Sequence, residues 1–142
     1  MKKSICKVFS LFCLLAVMLV PCQAVFASDV EENYTVAPMM TYIADYTIDF
    51  SIRNGVAGVI ASVDGDVLTA TKTKVIAELQ VKNGSSWIPV KIWTESQNFY
   101  TTEVDETYTV TKGNTYRVKA TFTVWEGSAS ETVTSYSDQI TA

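Results

Sequence analysis

Histidine is absent from the 142 residues of this chain. That removes Ser-His-Asp and Cys-His nucleophile arrangements, the commonest zinc ligand, and the side chain that most often moves protons near neutral pH. The three cysteines, Cys6, Cys13 and Cys22, all lie in the first 22 residues. Once a leader there is removed, neither a thiol nucleophile nor a thiolate metal site is left. Carboxylate chemistry survives, because two acids at a suitable separation hydrolyse a glycosidic bond without other groups. Glu103, Asp105 and Glu106 are the candidates, in a polar stretch that a solvated charge run explains equally. Asp64 and Asp66 flank Gly65. One such pair lacks the six or more oxygens calcium wants, so these residues read as a turn. Gly113 and Gly127 are isolated turn glycines, and the sequence shows no glycine-rich phosphate loop, basic-aromatic stripe or amphipathic helix. The reading is a chain with no catalytic residues, no metal and no cofactor.

Aromatic surface is the remaining source of recognition chemistry. Alternation from Trp87 to Thr94 puts Ile88, Val90 and Ile92 on one face of a strand and Trp87, Lys91 and Trp93 on the other. Trp125 falls on the outward register of a later strand. Rigid rings give contact area at low entropic cost, so Trp87, Trp93 and Trp125 form a candidate platform for sugar rings or a protein partner. The competing reading is that one or two of these indoles fill a core, as tryptophan commonly does in β-sandwiches.

The stretch that must position them runs from Thr107 to Trp125. Tyr116, Val118, Ala120, Phe122 and Val124 are apolar at every second position, with Arg117, Lys119, Thr121 and Thr123 between them. A period of two is a strand with one buried face. Lys112-Gly113-Asn114 supplies a turn just before it, and Tyr116 is placed as a tyrosine corner, whose hydroxyl bonds back to upstream backbone. Tyr46, Ile48, Phe50 and Ile52 mark a first strand, and Asn54-Gly55 is a strong hairpin signal. Val56 to Val63 forms the second, with Ala57, Val59, Ala61 and Val63 inward and its small residues, Gly58 included, suited to close approach of two sheets. Lys74 to Lys82 and Trp87 to Thr94 follow, joined by a turn at 83–86; Pro89 places the latter strand at an edge or in a bulge. Glu95 to Glu106 reads as a loop or short linking strand, and Thr132 to Thr141 closes the domain in a register that alternation leaves open. About seven short strands, regular turns and no helix specify an all-β protein. The architecture is an antiparallel immunoglobulin-like or fibronectin-III-like β-sandwich.

The first 27 residues read as a signal peptide. Lys2, Lys3 and Lys7 precede an apolar run from Val8 to Val20, and Val25-Phe26-Ala27 suits cleavage after Ala27, with Ala24 as the alternative. A retained anchor and lipidation at Cys22 are the competing readings. Residues 28–38 read as a flexible mature N-terminus and 39–142 as the β-sandwich domain. The whole chain carries 11 basic and 15 acidic residues. Losing the leader lysines leaves 8 against 15, a net charge of −7. That sign opposes nucleic acid and anionic membrane as partners.

Tyr42-Ile43, Asn54-Gly55 before Ala57 and Ala61, Gly84-Ser85-Ser86-Trp87 with Val90-Lys91 and Trp93, and Lys112-Gly113 before Tyr116-Arg117-Val118 together resemble a family of small secreted proteins of Gram-positive bacteria, a domain of unknown function. The resemblance implies export and a small β domain, and brings no catalytic or binding residues. The functional expectation is a secreted, non-enzymatic module that binds an extracellular protein or glycan. The alternatives are a structural component self-associating through an edge, such as the Pro89 strand or the final one, and a small carboxylate hydrolase.

Overall fold

The computed structural model describes residues 40–142. The leader, its cleavage sites, Cys22 and the 28–38 segment lie outside the described residues. Eight strands run β1 (Ile43–Arg53), β2 (Val56–Gly65), β3 (Lys72–Asn83), β4 (Ser86–Gln97), β5 (Thr101–Thr109), β6 (Thr115–Glu126), β7 (Ala129–Tyr136) and β8 (Ile140–Thr141). They form two antiparallel sheets. One has the order β1-β2-β5, the other β4-β3-β6-β7 with β8 also on β6. The chain is therefore a β-sandwich, as alternation predicts, with a two-residue strand added at its end.

The core lies where the two inner faces meet. Ala57, Val59, Ala61 and Val63 of β2 are fully buried, as are Val75, Ala77 and Leu79 of β3 and Val118, Ala120, Phe122 and Val124 of β6. Polar residues at the alternate positions of β6 face outward, so its whole length obeys the period of two. Tyr46 packs from β1 onto Phe122 with ring centroids 5.1 Å apart, tying the layers together. Gly58 departs from expectation. It faces away from the core, toward Ser51 on the adjacent strand, so the alanines alone bring the sheets close.

The hairpins follow their residue chemistry. Asn54 and Gly55 have φ of 52° and 76°, the two left-handed residues of a type I′ turn. Asp66 turns the chain after β2: its carboxylate accepts from the Leu68 amide at 2.8 Å and its carbonyl from the Ala70 amide at 2.8 Å. At the bend into β6, the Tyr116 hydroxyl accepts from the Thr111 amide at 3.0 Å, and the ring is buried. This is the upstream backbone bond of the expected tyrosine corner.

Two segments extend or correct the sequence reading. Glu95 to Glu106 holds the end of β4 and much of β5, a full strand paired along β2. At the C-terminus, Val133 faces inward opposite Phe122, Tyr136 faces outward opposite Lys119, and Ile140 rejoins β6 opposite Tyr116. Alternation could not assign this register because residues 137–139 interrupt it.

Candidate functional site

The three tryptophans are all half-buried, but they do not share a face. On β4, Ile88 pairs with Val81 and Lys91 with Leu79, so three steps along β4 match two along β3. The extra residue is a β-bulge at Pro89–Val90, and a bulge switches the face of every side chain beyond it. Trp87, before the bulge, pairs with Lys82 on the outer side of the sheet. Trp93, beyond it, pairs with Ala77 and packs against the core. The expected grouping of Trp87 with Trp93 is thus corrected, as is that of Ile88, Val90 and Ile92: Ile88 takes the core-side register and Ile92 the outer one. The same proline that marked an edge strand breaks the alternation on which both groupings depended.

Trp125 pairs with Lys72 on β3 and Ser130 on β7, in the outward register of β6. Trp87 and Trp125 therefore lie on the outer face of the larger sheet. Between them the register sets Lys72, Lys74, Ile76, Glu78, Gln80 and Lys82 of β3 beside Arg117, Lys119, Thr121 and Thr123 of β6. Five cations meet one carboxylate on this face. No basic-aromatic stripe is visible in the sequence because its members come from four strands that only pairing brings together.

Arg117 is the centre of the arrangement. Its guanidinium carbon sits 4.3 Å from the Trp87 ring centroid and 4.4 Å from that of Tyr136, which places it against both rings. Its Nε donates to Gln80 Oε1 at 2.9 Å, Gln80 Nε2 donates to Glu78 Oε2 at 3.1 Å, and Lys119 Nζ meets Glu78 Oε1 at 3.2 Å. This chain of bonds holds the long side chains in one geometry. Cations cover the other indoles too: Lys72 Nζ is 5.0 Å from the Trp125 ring and Lys91 Nζ 5.9 Å from that of Trp93. The rings thus back a cationic surface and are not bare stacking faces. Neither Arg117 nor Tyr136 was a candidate from sequence; the signal available was that Arg117 shares the parity of Trp125.

The acidic candidates are divided. Glu103 and Asp105 point outward from the smaller sheet, opposite Ser62 and Ile60, while Glu106 takes the opposite register. Asp64 pairs with Asp45 on that outer face, and Asp66 is committed to its turn. Among the described residues, no three acidic, histidine or cysteine side chains gather as a metal site.

Glu131 is a further residue that sequence reasoning missed. Its carboxylate accepts from three successive amides: Thr41 at 2.9 Å, Tyr42 at 2.7 Å and Ile43 at 3.0 Å. The bonds from Tyr42 and Ile43, with a smaller effect from Thr41, lower its pKa against a weaker opposing effect of burial. It joins β7 of one sheet to the start of β1 in the other. Compared with known proteins, the chain matches no family model, and no curated protein resembles it closely enough to count as a relative.

Proposed function

We propose that this protein is a secreted, non-enzymatic binding module whose ligand is an acidic extracellular glycan held on the outer face of the larger sheet. Export rests on the basic and apolar leader, and the immunoglobulin-like or fibronectin-III-like assignment on the β1-β2-β5 and β4-β3-β6-β7 order with the Tyr116 corner. Kinship with secreted Gram-positive proteins rests on the short motifs that carry the resemblance.

One observation carries the ligand reading: Arg117 is stacked on Trp87 and Tyr136 beside Lys82 and Lys119, with Lys72 and Lys74 toward the other end of the same face, on a chain that is acidic overall. Guanidinium and ammonium groups offer donors and no acceptors, so they select carboxylate, sulfate or phosphate groups on a sugar chain. The flanking rings add apolar contact for sugar carbons.

Binding to an array of neutral and acidic glycans tests this. Wild type is expected to retain acidic glycans, Trp87→Ala and Arg117→Ala to weaken that retention by roughly tenfold, and Trp93→Ala, on the other side of the sheet, to change it little. Retention of neutral glycans alone, of proteins but no glycan, or equal loss in all three variants would overturn the reading.

A further inference from the structure

The outer face of the smaller sheet is the electrostatic opposite of the face just described. Strand pairing sets Asp45 and Asp49 of β1, Asp64 of β2, and Glu103 and Asp105 of β5 on one side, with Arg53 alone as a cation at the far end of β1. Asp45 stands directly across from Asp64, and like charges so placed destabilise a sheet. Among the described residues the one ion pair is Lys119–Glu78, so none of these five carboxylates is ion-paired. In their midst Ile60 is 36% exposed, between Asp49 and Asp105. The larger sheet offers the counterpart: Ile76, next to Lys74 on the same face, and Ile92, 52% exposed, across from Glu78, which Lys119 neutralises.

The geometry points to a second copy of this chain as the occupant of these faces, the acidic face of one molecule docking on the cationic face of the next. Both faces have an exposed apolar patch, and each carries the sign of charge that the other lacks. Neither face tolerates its own kind, because acid against acid and base against base repel. The contact is therefore heterologous, and a heterologous contact between opposite faces of a slab extends into an open stack and does not close as a dimer. Three strands of about ten residues cover roughly 30 by 14 Å, an area at the low end for specific interfaces, so each contact is weak and salt-sensitive. Assembly runs through sheet faces and not the β4 edge, whose bulge at Pro89–Val90 spoils flat pairing. The inference does not rest on a glycan ligand, since its two partners are both surfaces of this chain.

Sedimentation velocity of the purified secreted chain, free of glycan, decides it. At about 100 µM and low ionic strength the expected result is a broad series of species whose mean size grows with concentration, collapsing to monomer near 0.5 M salt. A variant neutralised on the acidic face (Asp49→Asn, Asp105→Asn) and one neutralised on the cationic face (Lys74→Gln, Lys119→Gln) are each expected to be monomeric. Mixed, they retain one intact face apiece and are expected to stop at a pair. A monomeric wild type at low salt, a closed dimer of fixed size, or stacking unchanged in either variant would overturn the proposal. A monomer that still binds acidic glycans would overturn the stack and leave the binding module standing.

Discussion

Glu131 is the residue on which the closing of one side of the sandwich depends most visibly. Three backbone amides at the start of β1 converge on a single carboxylate of β7, and each bond is charge-assisted, and so strongest, while the acid is ionised. Its folded pKa is lowered below the ordinary glutamate value of 4.5, so the stabilisation is fully present above that value. It fades as pH falls through the lower, folded value. Acid titration of thermal stability is therefore expected to show a loss of Tm below the ordinary carboxylate range in wild type, and a smaller loss over that window in Glu131→Gln. The variant should already be less stable at pH 7, because a neutral amide oxygen accepts those bonds more weakly. Equal acid slopes in the two proteins would show that Glu131 does not supply this pH dependence.

At the scale of the elements, two glycines that look alike in sequence do different work. Gly65 ends β2, and a Cβ there would lie 2.6 Å from the Ala70 Cβ and 2.7 Å from Val124 Cγ1. Gly84, in the β3–β4 turn, has open space around it but a φ of 61°. Gly65→Ala is expected to cost about 1–3 kcal/mol through overpacking, whereas Gly84→Asn should cost only a few tenths, since asparagine visits left-handed backbone readily. Chemical denaturation of both variants measures the difference, and a Gly84→Asn loss as large as that of Gly65→Ala would contradict it. The contrast shows what was legible in the chain. Local signals held wherever the structure depends on neighbours in sequence: the alternation of β6, the Asn54-Gly55 turn, the Tyr116 corner. They failed at Pro89–Val90, where one inserted residue reverses a face, and at 137–139, where a break separates β7 from β8. Glu131 was unreadable for a related reason. Its partners at Thr41, Tyr42 and Ile43 lie about ninety residues away, and nothing in its own surroundings announces them.

On the scale of the whole molecule, the two outer faces divide the charge that a net value averages away. The acidic balance of the chain argues against nucleic acid and anionic membrane, yet pairing of β3 with β6 gathers five of its cations on one side. The acids of β1, β2 and β5 gather on the other. A surface with Arg117 held against two aromatic rings can thus attract an anionic polymer while the opposite surface repels it, which would orient the protein on the proposed ligand. Mapping of amide chemical shifts on isotope-labelled protein carrying Asp49→Asn and Asp105→Asn to suppress stacking, titrated with an acidic polysaccharide at low salt, is the most direct test. The account predicts perturbations concentrated at Gln80, Lys82, Trp87, Arg117, Lys119 and Tyr136, with β1 and β5 silent. Perturbations on the β1-β2-β5 face, or none at saturating polysaccharide, would contradict it.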